Sequence, residues 1–232
     1  MKIVLTYLDF KGICEPIRLV LAIAGIPFED KRVSYDYVRE HKHVLPFGQV
    51  PILEVEEDNG NKLIISQSNA ILRYVGSLVF PPADDAKSSV RVDIMLEALA
   101  DINKALIPAW YKNACGRNPA TGLLFEETEL NEQQQQGVLN CLNQTILPTK
   151  FKQIESEYIR SHSSFKFLCG DNITIADVLL YSIISGIKDE KKPYCDGILD
   201  TVFADCPNLL RISTQVAHMD QVHKWNETKN KS

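Results

Sequence analysis

Val50-Pro51-Ile52-Leu53-Glu54-Val55-Glu56-Glu57-Asp58-Asn59-Gly60-Asn61-Lys62-Leu63-Ile64-Ile65 sets two β-rich runs on either side of an Asn-Gly. Asn-Gly supplies the positive-φ residues that a tight hairpin turn needs, so the stretch reads as two paired strands. Directly after it, residues 68–75 place Ile71, Leu72 and Val75 on one helical face. Upstream, residues 2–5 form a short apolar run that ends before Lys11-Gly12. Residues 15–24 then carry apolar side chains at 17, 20, 21 and 24, the spacing of an amphipathic helix. Pro16 suits its first turn and Gly25 the position past its end. Residues 28–33 read as a second strand, and the polar residues 34–42 as helical or irregular. The order β-α-β followed by ββ-α predicts one α/β domain over residues 1–80.

Beyond Phe80-Pro81-Pro82-Ala83-Asp84-Asp85 the strand signals stop. Consecutive prolines and acids cannot continue a helix, so residues 81–87 read as a linker. Residues 88–107 are helical by their apolar positions 92, 95, 96, 99, 102 and 106, and residues 113–131 read as a loop. Residues 132–161 are expected to form one long helix, with the four glutamines at 133–136 on its solvated face. Thr174-Ile175-Ala176-Asp177 is a capping signal: the Asp can reach back to the Thr N–H while the Thr hydroxyl caps the opening turn. A last helix is predicted over residues 207–219, and the polar tail from Asn226 is expected to be mobile. Residues 88–232 therefore read as an all-α domain.

Composition narrows the function. The chain has 232 residues, 45% hydrophobic and 24% charged, the balance of a globular protein with a sizeable core. A net charge of −5 argues against nucleic acid as a partner. No apolar run approaches a bilayer span, and Met1-Lys2-Ile3-Val4-Leu5-Thr6-Tyr7 reads as a strand, not a signal peptide. The six cysteines, at 14, 115, 141, 169, 195 and 206, form no zinc-type pair. They are expected to be free thiols in a reducing, cytoplasmic setting, with no metal site.

Three features fall in order on the first domain: Tyr7 at the end of the first strand, Val50-Pro51 at the start of the third, and Gln67-Ser68 at the opening of the third helix. Each has a plain structural reading, as a packing residue, an edge or turn proline and a helix cap. Together with Leu45-Pro46-Phe47-Gly48-Gln49 ahead of the proline, Asn69-Ala70-Ile71-Leu72-Arg73-Tyr74 after the serine, and Gly170-Asp171-Asn172-Ile173 ahead of the capping signal, they resemble the cytosolic glutathione transferases. The resemblance spans nearly the whole chain and is greatest to the sigma class, which includes glutathione-dependent prostaglandin D synthases. It implies a thioredoxin-like N-terminal domain plus an all-α C-terminal helical domain that helps hold the second substrate.

The resemblance also implies roles. Tyr7 would donate a hydrogen bond to the glutathione sulfur and stabilise its thiolate. Val50, ahead of a cis Pro51, would pair its backbone with the cysteinyl unit, with Gln49 beside it. Gln67 and Ser68 would hold the γ-glutamyl carboxylate at a helix N-terminus. Lys42 would meet the glycine carboxylate, and Asp101 would reach across a homodimer to the γ-glutamyl amine. Phe47 would be the aromatic that each subunit presents to the other. Leu8, Phe10 and Trp110 would line the pocket for a hydrophobic electrophile, and glutathione would serve as cosubstrate with no other cofactor. Two positions depart from the class: Ile13 stands where an Arg usually follows the tyrosine by six residues, and Val38 where an aromatic usually meets the glycyl end, with Tyr37 beside it. Cys14, near a helix start, is the rival nucleophile, although a small buried residue is the favoured reading. The expected activity is conjugation and detoxification. The alternatives are a glutathione-dependent isomerase and a non-catalytic glutathione- or ligand-binding protein on the same fold.

Overall fold

The computed structural model describes residues 1–80, 86–114, 131–162, 164–189 and 195–229. The chain divides into two compact units, one of residues 1–82 with 217–232 and one of residues 83–216.

The first unit runs β1 (Lys2–Leu8), α1 (Glu15–Ile23), β2 (Glu29–Val33), α2 (Tyr35–Glu40), β3 (Ile52–Glu56), β4 (Lys62–Ser66) and α3 (Ser68–Val79). Its sheet has the order β2-β1-β3-β4, with β1 and β2 parallel and the other two pairs antiparallel. The parallel pair needs a crossover, and α1 provides it. Ile3, Leu5, Leu53 and Val55 from the strands are buried, as are Ile17, Val20 and Leu21 of α1 and Ile71, Leu72 and Val75 of α3. These are positions that the apolar spacings single out, but Ala24, expected on the same face as Ile17, Val20 and Leu21, is exposed just past the end of α1. The Asn-Gly hairpin forms in the expected place, with Leu53 opposite Ile65 and Val55 opposite Leu63. The sheet with its helices is the expected α/β thioredoxin-like unit.

The second unit holds α4 (Ala86–Ala114), α5 (Glu132–Cys141), α6 (Leu147–His162), α7 (Ile175–Lys188) and α8 (Pro207–Ala217). It contains no strand among the described residues. Ten of the fourteen residues of α7 are buried, so this helix, apolar on nearly every side, forms the centre of the unit and packs on α4. α6 packs on the same helix. Leu96, Leu99, Ile102, Phe151, Tyr158, Leu180 and Ile184 are all buried.

Several expectations are corrected here. The single helix expected over 132–161 forms as one helical run, with a π turn at Leu142–Ile146 between α5 and α6. In that turn Asn143 donates to the Gly197 carbonyl at 2.7 Å and accepts from the Leu199 N–H at 2.8 Å. The helix expected over 88–107 extends further at both ends. Residues 113 and 114 of the expected loop are therefore helical, and 115–130 lie outside the described residues. The linker expected at 81–87 lies mostly outside them too, with Ala86 and Lys87 already in α4. An unexpected helix, α9 (Asp220–Lys229), packs on α1, groups with the first unit and takes in residues 226–229 of the polar tail. Its low apolar content hides it from a periodicity reading, because its hold on the fold comes from Val222 and Trp225.

Candidate active site

Strand register brings the singled-out residues of the first unit to one edge. Thr6 of β1 lies opposite Ile52 of β3, and Ile52 lies opposite Ser66 of β4. Tyr7, Pro51 and Gln67 each sit one residue beyond that aligned row, so three segments far apart in sequence end side by side. The Val50–Pro51 peptide bond is cis, as the resemblance implied. Tyr7 is buried and meets the Phe10 ring edge-on, with centroids 5.3 Å apart. Leu8 and Phe10 are half-buried.

The turn after β1 closes over Tyr7 because residue 12 is glycine. Gly12 has φ +46°, and a Cβ there would lie 2.8 Å from the Tyr7 hydroxyl oxygen and 2.6 Å from the Phe10 ring. Gly12→Ala is expected to lower stability by about 1–3 kcal/mol, from the left-handed backbone together with the clash. Melting of the variant checks this, and an unchanged midpoint would contradict it.

Beneath the tyrosine lies Arg18, fully buried. Its Nε donates to Asp30 Oδ1 at 2.9 Å, and its Nη1 donates to the carbonyls of Phe10 and Lys11 at 3.0 and 3.2 Å and to Glu15 Oε2 at 3.3 Å. Burial works against its charge, but Cys14, Glu15 and Asp30 outweigh burial and hold its pKa above the usual value. The Arg18 ζ carbon stands 5.8 Å from the Tyr7 ring centroid, within reach of a cation–π contact. Cys14 is buried at the start of α1, the favoured structural reading for this thiol. None of the described cysteines forms a disulfide, and Cys141 alone among them is exposed. Burial pushes the Cys169 thiol up to about 12 and the Cys206 thiol up to about 11, so neither is a thiolate near neutral pH.

Lys42 packs its stem against the Gly48 backbone: a Cβ at Gly48 would lie 2.8 Å from Lys42 Cγ. Lys42, Gln49 and Gln67 are exposed, and Val50 and Ser68 half-buried. Two non-glycine residues flank the edge in left-handed conformations, Phe47 with φ 55° and Gln67 with φ 72°. Phe47 is 76% exposed. The N-cap residue of α3 is Gln67, whose side chain makes no capping bond; Ser68 is the first residue of the helix and not its cap. The opening amides of this helix carry the positive end of its dipole, which favours an anion. Tyr37 stacks on His41 with centroids 4.0 Å apart and lies under the Lys31 ammonium.

In the second unit Asp101 is exposed on α4 and pairs with Lys104 at 3.1 Å and Lys150 at 3.8 Å. The Lys104 hydrogen bond, with both lysine charges, holds its carboxyl below the usual range. The Trp110 side chain lies outside the described residues. Asp177 is buried and is the hub of the helix cap: Oδ2 accepts from the Thr174 N–H and hydroxyl, both at 2.8 Å, and Oδ1 accepts from the Leu168 N–H at 2.8 Å. Among the described residues no group of His, Cys, Asp and Glu could hold a metal ion. Sequence reading missed Arg18, although Glu15 and Arg18 are spaced as a helical i,i+3 ion pair. It also missed Trp225, which reaches Glu15 from 210 residues away and leaves no local signal.

Known proteins share this fold. The glutathione S-transferase N-terminal domain family model matches residues 3–77, and the C-terminal domain model matches residues 117–229. A glutathione S-transferase class-mu 28 kDa isozyme of Schistosoma japonicum is 25% identical over 213 residues, covering 92% of this chain and 94% of that one. A prostaglandin synthase D of Nilaparvata lugens superposes with a TM-score of 0.73 at 21% identity and 98% coverage of both chains. A sigma class GST of Fasciola hepatica superposes with a TM-score of 0.75 at 19% identity, covering 98% of this chain and 96% of that one. With both domain models matched in order along the chain, and relatives aligned over almost its full length, the protein belongs to the glutathione transferase family and is a glutathione transferase.

Proposed function

We propose that the protein activates the thiol of glutathione through the Tyr7 hydroxyl and adds it to hydrophobic, electrophilic small molecules. The observation that carries this reading is the strand register: it sets Tyr7, the Val50–Pro51 segment and Gln67 at one edge, beside a helix N-terminus that Gln67 leaves uncapped by its side chain. Glutathione carries two carboxylates, an amine and a thiol. The γ-glutamyl carboxylate would lie at the opening amides and hydroxyl of Ser68, with Gln67 adding a side-chain hydrogen bond. The cysteinyl unit would pair with the Val50 backbone next to Gln49, and the glycine carboxylate would meet Lys42. Leu8 and Phe10 would offer apolar surface to the electrophile.

Tyr7 then needs only to donate. A phenol hydroxyl can donate to an anion, and the nucleophile belongs to the cosubstrate, so the protein supplies position and electrostatics. No further cofactor is required. Retention on immobilised glutathione, with turnover of an aryl halide, tests this function. Retention without turnover would favour the non-catalytic binding reading, and turnover of a prostaglandin endoperoxide in place of the halide would favour the isomerase. We place the chain with the sigma class on the motifs that it shares, despite Ile13 and Val38.

Assembly and setting belong to the same proposal. A two-fold dimer would cover the Phe47 ring and bring Asp101 to the γ-glutamyl amine of glutathione held by the other subunit. The setting would be the cytoplasm, where free thiols persist. Phe47→Glu is expected to yield a monomer by mass in solution, and a monomeric wild type at micromolar concentration would overturn the assembly.

A further inference from the structure

Three side chains outside the proposed chemistry link the C-terminal helix to the ring of Tyr7. Trp225 on α9 donates its indole Nε1–H to Glu15 Oε1 at 3.0 Å, while its ring lies 5.8 Å from that of Phe28. The other oxygen of Glu15 accepts from Arg18 Nη1 at a long 3.3 Å. The guanidinium in turn stands over the Tyr7 ring. Glu15 and Arg18 are 4% and 0% exposed, so their electrostatics are screened little by solvent. Arg18 Nη2 is buried with no hydrogen-bond partner among the described residues. The charged and titratable groups that act on Arg18 are Glu15 on its own helix, Cys14 just before it, Asp30 on β2, and Arg32, which shares Asp30.

We propose that Glu15, held by the indole of Trp225, is a positioning residue that sets how much of the Arg18 charge is felt at Tyr7. The proposal rests on the reading of Tyr7 as the group that stabilises the thiolate. A cation on the face of a phenol strengthens its hydroxyl as a donor and attracts an anion bound to it. The indole N–H occupies one oxygen of Glu15 and so keeps the carboxylate from closing on Arg18 with both. Without that N–H, Oε1 is released toward a guanidinium that still has an unpartnered nitrogen. The closer pair cancels more of the positive charge. Removing the Glu15 charge does the reverse. Two substitutions at the two ends of one hydrogen bond should therefore move the thiol in opposite directions, which a scaffolding role does not predict.

The test titrates the thiolate absorbance of glutathione bound to the full-length wild type, Trp225→Phe, Glu15→Gln and Tyr7→Phe. Trp225→Phe keeps a ring against Phe28 and removes the donor. It is expected to raise the thiol midpoint by about half a unit, whereas Glu15→Gln lowers it by about half a unit. If Glu15→Gln does not fold, Trp225→Phe decides alone. Equal or same-direction shifts in the two variants, with Tyr7→Phe still shifting the midpoint, would overturn the proposal and leave the reading of Tyr7 standing. A Tyr7→Phe titration that superimposes on the wild type would overturn both.

Discussion

Replacing Tyr7 with Phe is expected to lower the conjugation rate at neutral pH by about tenfold or more while leaving glutathione affinity within a few-fold. An unperturbed thiol has a pKa of about 8.5, so only a few per cent is thiolate at pH 7. Making most of it thiolate requires a shift of roughly two units, or about 2.7 kcal/mol of preferential stabilisation of the anion. One charge-assisted hydrogen bond from a phenol in a partly desolvated site supplies about that much. Tyr7 is buried with its ring held by Phe10 and Arg18, so the substitution removes a hydroxyl without removing the packing. The proposed carboxylate and backbone contacts do not involve the phenol, so binding persists. Much of the lost rate should return at high pH, where the thiol ionises unaided. A rate deficit that stays constant with pH would point to a role other than thiol activation.

Asp177→Ala is expected to destabilise the protein by about 3 kcal/mol or more, because it leaves the buried N–H of Leu168 and the half-buried N–H of Thr174 without their acceptor. Sequence reading alone, treating Asp177 as half of a capping box, gives about 0.5–2 kcal/mol. The difference lies in the third bond, which ties the 164–171 segment to the start of α7. For a chain of this size the melting midpoint should drop by about 10 °C, with glutathione affinity little changed in the folded fraction. A large loss of affinity with unchanged melting would contradict the assignment. The same carboxyl gives stability a pH dependence. Burial pushes it up to about 6, above its unfolded value of about 3.9. Its protonated form is therefore favoured by folding. That contribution is fully present below about pH 4 and is lost as pH rises through about 6, on the order of 3 kcal/mol. Denaturant unfolding of wild type and Asp177→Asn at pH 4 and pH 7 checks this slope, which the Asn variant should lack.

What the sequence disclosed followed the range of the interactions involved. The hairpin was legible because Asn59-Gly60 encodes a turn locally, and α1, α3 and α7 because their apolar spacing or their cap is local. Pairing of Thr6 with Ile52 and Ser66 is not local, yet β runs of fixed length leave little freedom in register once one face is buried. The π turn between α5 and α6 escaped notice because it keeps helical periodicity nearly intact. Helix α9 escaped because its mean composition is polar and two residues do its packing. Within the site, Tyr7, Pro51 and Gln67 were found through a shared pattern. Arg18 was passed over because an arginine amid apolar helix positions looks solvated until its four acceptors are seen. Gly12 carried no signal beyond breaking a strand, and its need to be glycine appears only when the Tyr7 hydroxyl stands beside it.

The account turns on the ionisation of glutathione in the site, and one measurement addresses it without reference to any electrophile. Thiolate absorbance of bound glutathione is followed against pH for the wild type and for Tyr7→Phe. A wild-type midpoint about two units below the free thiol's value of about 8.5, and a Tyr7→Phe midpoint returned close to that value, is the predicted result. Superimposed titrations would contradict it, and Cys14 would then be the next group to replace.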